Sequence, residues 1–393
     1  MQQSNGVISK MSICTIFLYT LCFSIGAQNN HSSHLGSLSD PIATKETKAL
    51  YSNLHRIAQK AILFGHQDDL AYGIDWKYKK DSSDVFSLCG DYPALYGWDL
   101  SGFESGKEKD INGTPFKLTR ALMAKSYRQG AVITLSWHAP SPLLGERTAW
   151  DTTHGTVRSI LPGGSNNGLY RTWLDQISNF MGSLKGPHNE SIPILFRPFH
   201  ELTGNWFWWC ANTCSPSELI SLWHYTIDYL RITKKLHNLI IVYNTSDNFQ
   251  GGKEFLERYP GDHYVDILSF DSYQYETPKD SNKFEKNLDA KLSIIESVAK
   301  EKGKLIALAE TGYECIPKAN WWTEHLMTGI GSHPISYVLL WRNAGEIGTV
   351  ESPHMHYYVP FKGDISAKDF LKFYQLPKTY FLKDVSKEML YNE

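Results

Sequence analysis

Residues 192–209 read IPILFRPFHELTGNWFWW. An apolar run carries one arginine, Arg197, and ends on His200 and Glu201, and three indoles, Trp206, Trp208 and Trp209, follow within eight residues. An apolar run without alternation suits a strand covered on both faces, as strands of parallel sheets are. Seven more such runs occur: AILFGH (61–66), YPALYGWD (92–99), AVITLSWH (131–138), NLIIVYN (238–244), VDILSFDSY (265–273), KLIALAE (304–310) and ISYVLLW (335–341). Apolar stripes at three-to-four spacing predict helices over 44–60, 117–129, 168–184, 216–236, 284–302, 319–330 and 366–374. Eight strands alternating with helices predict an α/β chain folded as a single-domain (β/α)8 TIM barrel.

The C-terminal ends of the eight runs carry polar groups. They are His66 and Asp68, Asp99, His138, His200 and Glu201, Asn244, Asp271 and Tyr273, Glu310, and finally Trp341, Arg342 and Asn343. In a barrel these ends meet at one mouth, where active sites are built. One such residue alone is an ordinary loop residue, but eight strands delivering polar groups to one rim describe a site.

The chemistry follows from the residue types. A carboxylate beside flat aromatic faces suits a sugar, whose C–H face stacks on a ring while an acid protonates its glycosidic oxygen. That reaction needs a second carboxylate, and Glu310 at the end of the seventh run supplies one. Strands four and seven face each other across a barrel mouth, which fits the retaining layout with carboxyls about 5–5.5 Å apart. Arg197, four residues before Glu201, is expected on the same strand and facing the same way. A buried arginine needs a partner, and the strand-seven carboxylate is the natural one. That pairing would keep Glu310 ionised as nucleophile and leave Glu201, in an indole-lined setting, as the acid. Either glutamate alone could be a capping or ion-paired group, and Arg197 could serve a structural ion pair.

Composition narrows the alternatives. The formal net charge is −2, the pI is near 6.7, and no Lys/Arg run exists, so a nucleic-acid partner is not expected. Aromatic residues make up 13% of the chain, which calls for a stacking surface as well as a core. At the N-terminus Lys10 precedes an apolar run, Ile13 to Ala27, and a polar segment follows. That is the pattern of an export signal over 1–27, too short for a membrane span. Cys22 would suit a lipid anchor, but Leu21 is too large for the residue that should precede it. A periplasmic or extracellular location is therefore expected. Residues 28–43 read as a flexible lead-in and 44–393 as the catalytic domain. Cys210 and Cys214 are close enough to close a small disulfide loop in an oxidising compartment, with buried free thiols as the alternative.

Taken together, RPFHE followed by GNWFWW, with SWHAPSP, FDSYQ, ALAETG and LLWRNA, resembles glycoside hydrolase family 26, a clan A family whose best-known members are secreted β-mannanases. The likeness spans roughly residues 45 to 375. It implies Glu201 as acid/base and Glu310 as nucleophile of a retaining β-1,4-mannanase. It places His138, His200, Trp206 and Tyr273 around the scissile mannosyl unit, and Arg342, with Trp341 beside it, on the next sugar toward the non-reducing end. Arg197, Asp271 and Asn343 join as supporting positions. The expected partner is β-mannan or a manno-oligosaccharide, with no metal or cofactor and a monomer or weak dimer as the assembly. Within the family, xylan or mixed-linkage glucan is the alternative substrate.

Outside it, His66, Asp68, His138, His200 and Asp271 could be read as the ligands of a metal-dependent hydrolase. No H-x-H pair follows strand one, and that reading leaves the two glutamates and the indoles unexplained. Trp321 and Trp322 suit either the cleft or packing. The long segments 101–115 and 139–168, the latter with Trp150, are expected at the mouth, narrowing the non-reducing side so that mannobiose is released. An open cleft with solvated loops is the alternative.

Overall fold

A computed structural model describes Met1 and residues 36–144, 148–275 and 283–392. The expected export signal and the first part of the lead-in, 28–35, lie outside the described residues. Eight parallel strands form the barrel: β1 Ile62–Gln67, β2 Leu95–Asp99, β3 Val132–Ser136, β4 Ile194–Arg197, β5 Leu239–Ser246, β6 Ile267–Gln274, β7 Leu305–Tyr313 and β8 Ile335–Leu340. Each pairs with the next, and β8 closes on β1 through the register Leu63↔Tyr337 to His66↔Leu340. Helices cover the outside, so nearly every strand residue is buried, which is why these runs are apolar without alternation.

The helices form where local chemistry starts and stops them. α1, Lys45–Ala58, opens on Thr44, whose hydroxyl accepts the Thr47 N–H. It carries Glu46 in its first turn and His55 and Arg56 in its last, which complements the helix dipole. Leu50, Leu54 and Ile57 lie on its buried face. The helix after β4, α2 Pro216–Asp228, starts with a capping box between Ser215 and Glu218 and a proline inside the first turn. The segment expected as helix over 216–236 continues as a wider π turn, Tyr229–Thr233. Residues 321–326 are likewise a π turn before a short helix, Met327–Ile330.

Much of the aromatic excess is core. On the outer face of β1, Phe64 stacks on Phe381 at 4.7 Å between ring centroids and meets Trp322, Phe370 and Phe373 edge-on. Phe64→Ala should cost about 3–5 kcal/mol in a denaturant curve. Trp321 and Trp322 are fully buried, their indole N–H groups donating to Gln274 and Ser366, so the choice between cleft and packing falls to packing.

Two readings change with the structure, and one left open between two alternatives is decided. The run 192–201 is strand only to Arg197. Pro198 cannot donate to the ladder, and Phe199 and Glu201 adopt φ of 49° and 52°, so the chain turns away and alternation does not aim Glu201. The described part of the lead-in is docked at the foot of the barrel. Ser39 N–H donates to Asp266 at 2.6 Å and Asp40 pairs with His237 at 2.9 Å. Cys210 and Cys214 are free buried thiols, and Cys210 donates to the Glu201 carbonyl at 3.3 Å. An antiparallel hairpin, Gly345–Thr349 with Ser352–His356, follows β8 without having been expected, because its exposed residues lack an apolar pattern. Among the described residues no helix is long and apolar enough to cross a membrane.

Candidate active site

Two backbone irregularities aim the two glutamates into the mouth. Glu201 sits on the left-handed turn beyond β4, where the strained φ is held by the buried loop around it. Glu310 lies inside β7 at a bulge: Phe270 pairs with Leu308 but Asp271 pairs with Glu310, so Ala309 is the extra residue. A bulge re-aims the side chain that follows it, a common device beside active sites. Two residues on, Gly312 lets the Tyr358 ring lie against the strand, since a Cβ there would come within 2.3 Å of it.

One oxygen from each of Glu201, Asp271 and Glu310 lies within 4.8 Å of the others. Arg197, 1% exposed, holds two of the three. One terminal nitrogen donates to Glu310, and the other donates to Asp271 at 3.1 Å and to Asn244 at 2.7 Å. Asn244 in turn donates to Asp271 at 2.9 Å. The Tyr273 hydroxyl donates to the second oxygen of Glu310 at 2.8 Å. Burial, then the charges of Glu310 and Asp271, push that phenol far up, so it stays protonated and a donor. Among the described residues Glu310 is thus fixed by two side-chain donors, while Glu201 has one, the Trp206 indole N–H at 2.7 Å.

One guanidinium cannot neutralise three crowded carboxylates, of which Asp271 and Glu310 are buried and Glu201 half-buried. Burial and then the Glu310 charge push the Glu201 carboxyl up to about 7, against the pull of the Trp206 hydrogen bond. The same two causes push Asp271 well above the ordinary range, against Arg197. Two neighbouring carboxyls therefore differ in role: one clamped by donors, the other in an apolar setting and able to hold a proton near neutrality.

Around this pair the rim is aromatic and imidazole-rich. The Nε2 atoms of His138 and His200 are 3.0 Å apart, and His138 Nδ1 lies 2.7 Å from Asp99. Trp341 tilts toward His138 at 6.4 Å. Arg342 borders a cavity of about 600 Å³, with Tyr72, Trp76, Asn112 and Met355 among its walls.

Other sequence-singled residues fall elsewhere. Asn343 is 1% exposed and spends its amide on structure: it donates to Asp84 and the Val359 carbonyl and accepts the N–H groups of Tyr358 and Val359. It secures the loop bearing Tyr358 and does not reach the carboxylates. Of the three clustered indoles only Trp206 faces the site. Trp208 and Trp209 are fully buried and donate to the carbonyls of Ala139 and His200.

Sequence reasoning put Asn244 and Asp99 on the rim and Trp150 in a loop at the mouth, but gave none of them a role in the site. Trp150, half-exposed, stacks on His138 at 5.2 Å and 15°. A lone tryptophan in a long loop after β3 was the available signal. The histidine–aspartate metal set does not converge. His66 pairs with Asp69 and His138 with Asp99, and the ligand-capable group among the described residues is the three carboxylates. Arg197 already lies on two of these, and its charge opposes a cation there.

The family model for glycosyl hydrolase family 26 matches residues 39–327. A mannan endo-1,4-β-mannosidase of Bifidobacterium adolescentis is 33% identical over 308 residues, 76% of this chain. One of Thermothelomyces thermophilus is 30% identical over 295 residues, 72% of this chain. The matches cover 30% and 53% of those two proteins, so the chain spans only part of their length. Among solved structures, a family 26 β-mannanase from Bacteroides ovatus superposes with a TM-score of 0.83 at 40% identity, covering 89% of this chain and 98% of that one. An endo-β-1,4-mannanase from Cellulomonas fimi gives 0.78 at 31% identity over 88% and 78%. Barrel, paired glutamates and matched residues agree, and the chain belongs to glycosyl hydrolase family 26.

Proposed function

We propose that this protein hydrolyses β-1,4-mannan by a retaining double displacement. The observation that carries the reading is the carboxyl pair: Glu201 and Glu310 present oxygens within 4.8 Å of each other, short of the gap of about 6.5–9.5 Å that leaves room for water in an inverting enzyme. Glu310, clamped by Arg197 and Tyr273, attacks the anomeric carbon, and the glycosidic bond breaks as Glu201 gives its proton to the leaving oxygen. Water then enters, Glu201 takes one of its protons, and the glycosyl–Glu310 ester is cleaved with a second inversion.

His138, His200, Trp206 and Tyr273 surround the sugar at the point of cleavage, and Trp341 and Arg342 take the next unit toward the non-reducing end. Mannan as substrate is supported by the activities of the related mannan endo-1,4-β-mannosidases. A glucan reading has its own relative, an endoglucanase of Acetivibrio thermocellus, 28% identical over 44% of this chain. Asn112, in the 101–115 loop, donates to buried Asp68 at 2.9 Å and forms a wall of the cavity beside Arg342, which supports a short non-reducing side and release of mannobiose. The apolar run 13–27 behind Lys10 supports export. Hydrolysis of mannan, xylan and lichenan in parallel tests the substrate. Release of mannobiose and short manno-oligosaccharides from mannan alone is expected, and preferential cleavage of xylan or lichenan contradicts it.

A further inference from the structure

We propose that Asp99 is a positioning residue for the hydrolytic centre: through His138 it decides which imidazole of the His138–His200 pair owns the proton between them, and so fixes a positive charge facing Glu201 and Glu310. The inference rests on reading those glutamates as the catalytic pair.

Asp99 ends β2 and is 1% exposed. Its Oδ2 takes the Ser136 hydroxyl and His138 Nδ1, both at 2.7 Å, and its Oδ1 takes the Ser101 N–H at 2.7 Å and the His138 N–H at 3.3 Å. Two backbone N–H groups and the Ser136 hydroxyl favour a carboxylate here, and although burial opposes it, His138 and these hydrogen bonds hold the Asp99 pKa below the ordinary range. His138 Nδ1 must then carry a hydrogen. The Nε2 atoms of His138 and His200 stand 3.0 Å apart with room for one proton between them. If that proton is on His138, the ring is an imidazolium and His200 is neutral with its hydrogen on Nδ1. If it is on His200 and the His200 Nδ1 hydrogen has been lost to solvent, both rings are neutral and the pair carries one proton fewer. The hydrogen bond made at the far nitrogen sets the choice.

The surroundings favour the first state. His138 faces Asp99 from β2, Glu310 from β7 and Arg197 from β4, with the rings of Trp150, Phe207 and Trp341 beside it. Burial opposes its charge, but Asp99 outweighs that and the pKa rises. Burial, His138 and Arg197 all drive His200 far down. Behind Asp99, the pKa values of Asp68, Glu104 and Asp110 are each pushed up by burial, and the Asp99 charge adds to each rise. His200 Nδ1 is buried without a hydrogen-bond partner, which leaves its hydrogen for a bound hydroxyl or water. The charge on His138 also lowers the pKa of Glu201, so Asp99 acts on the acid through one intervening group, His138.

The test combines spectra and kinetics on the full chain. Histidine-labelled wild-type protein should show, at neutral pH, one imidazole protonated on both nitrogens whose signal disappears in H138N, and a neutral His200. In D99N the His138 ring should become neutral and the alkaline limb of kcat/KM on mannotetraose should move up by about one pH unit, the lower end of what an adjacent charge produces. kcat should fall more than KM changes. S136A, which removes one hydrogen bond but no charge, should leave the limb in place. A neutral His138 in the wild type, or an unmoved limb in folded D99N, overturns the proposal. If D99N does not fold, the wild-type spectrum decides alone. Failure to cleave mannotetraose would count against the proposed substrate while leaving the spectra readable.

Discussion

Arg197 and Glu310 form an ion pair that spans the barrel mouth from β4 to β7, with side chains 2% and 6% exposed. Its location decides its worth. A surface pair contributes little, whereas removing one partner of a buried pair strands the other charge.

Arg197→Met should therefore destabilise the protein by about 3–5 kcal/mol, because Glu310 and Asp271 both lose their cation. Activity should fall as well, since Glu310 loses one of its two donors. Denaturant melts of the variant and wild type at neutral pH measure the cost. A loss below about 1 kcal/mol, the range of exposed pairs, would show that the pair is not buried as described.

Trp206→Phe keeps an apolar ring over Glu201 but removes the indole donor at 2.7 Å. That hydrogen bond pulls the Glu201 pKa down, so without it the carboxyl holds its proton to higher pH than its present value of about 7. An acid needed in its protonated form then stays active longer as pH rises. The alkaline limb of the pH–rate profile should move up by about one unit, equivalent to about 1.4 kcal/mol. A downward shift would mean that the indole does not touch the acid.

Glu201→Gln and Glu310→Gln separate the two roles. On polysaccharide the first should lose about 10²–10⁴-fold in kcat, the usual contribution of a general acid, and the second still more. On an aryl mannoside with a good leaving group, the Glu201 variant should retain its first step far better. Azide should rescue Glu201→Ala as a β-mannosyl azide. Equal losses for both variants on both substrates would reject the assignment.

Asn343→Ala should be a stability defect. It removes four hydrogen bonds that hold Asp84 and the Tyr358 loop, at about 1 kcal/mol net for each. Thermal melts should show the loss, with KM changing less than for Arg342→Ala, which opens the cavity wall. The reverse order would return Asn343 to the substrate.

The barrel was legible because β1 to β8 are buried on both faces, and that leaves continuous apolar runs in sequence. The carboxyl pair was legible from the ends of two apolar runs, although Glu201 lies past β4 and Glu310 inside β7. How Glu201 is aimed was not, since the turn at Phe199 and Glu201 uses left-handed backbone that no glycine announces. Nor was the bulge at Ala309, an ordinary alanine in an apolar run. Trp208 and Trp209 read like Trp206, and only the loop's path decides which indole meets the cleft. Asn343 sits in a motif at the rim, yet its neighbours in space, Asp84 and Val359, lie far off in sequence.

The distance between Glu201 and Glu310 carries the central claim, and the configuration of the first-formed product tests it most directly. Proton NMR of a fresh mannotetraose digest, read before the new reducing end mutarotates, should show the β anomer accumulating first, as two successive inversions require. An α anomer appearing first would mean a single inversion and would contradict the nucleophile assigned to Glu310.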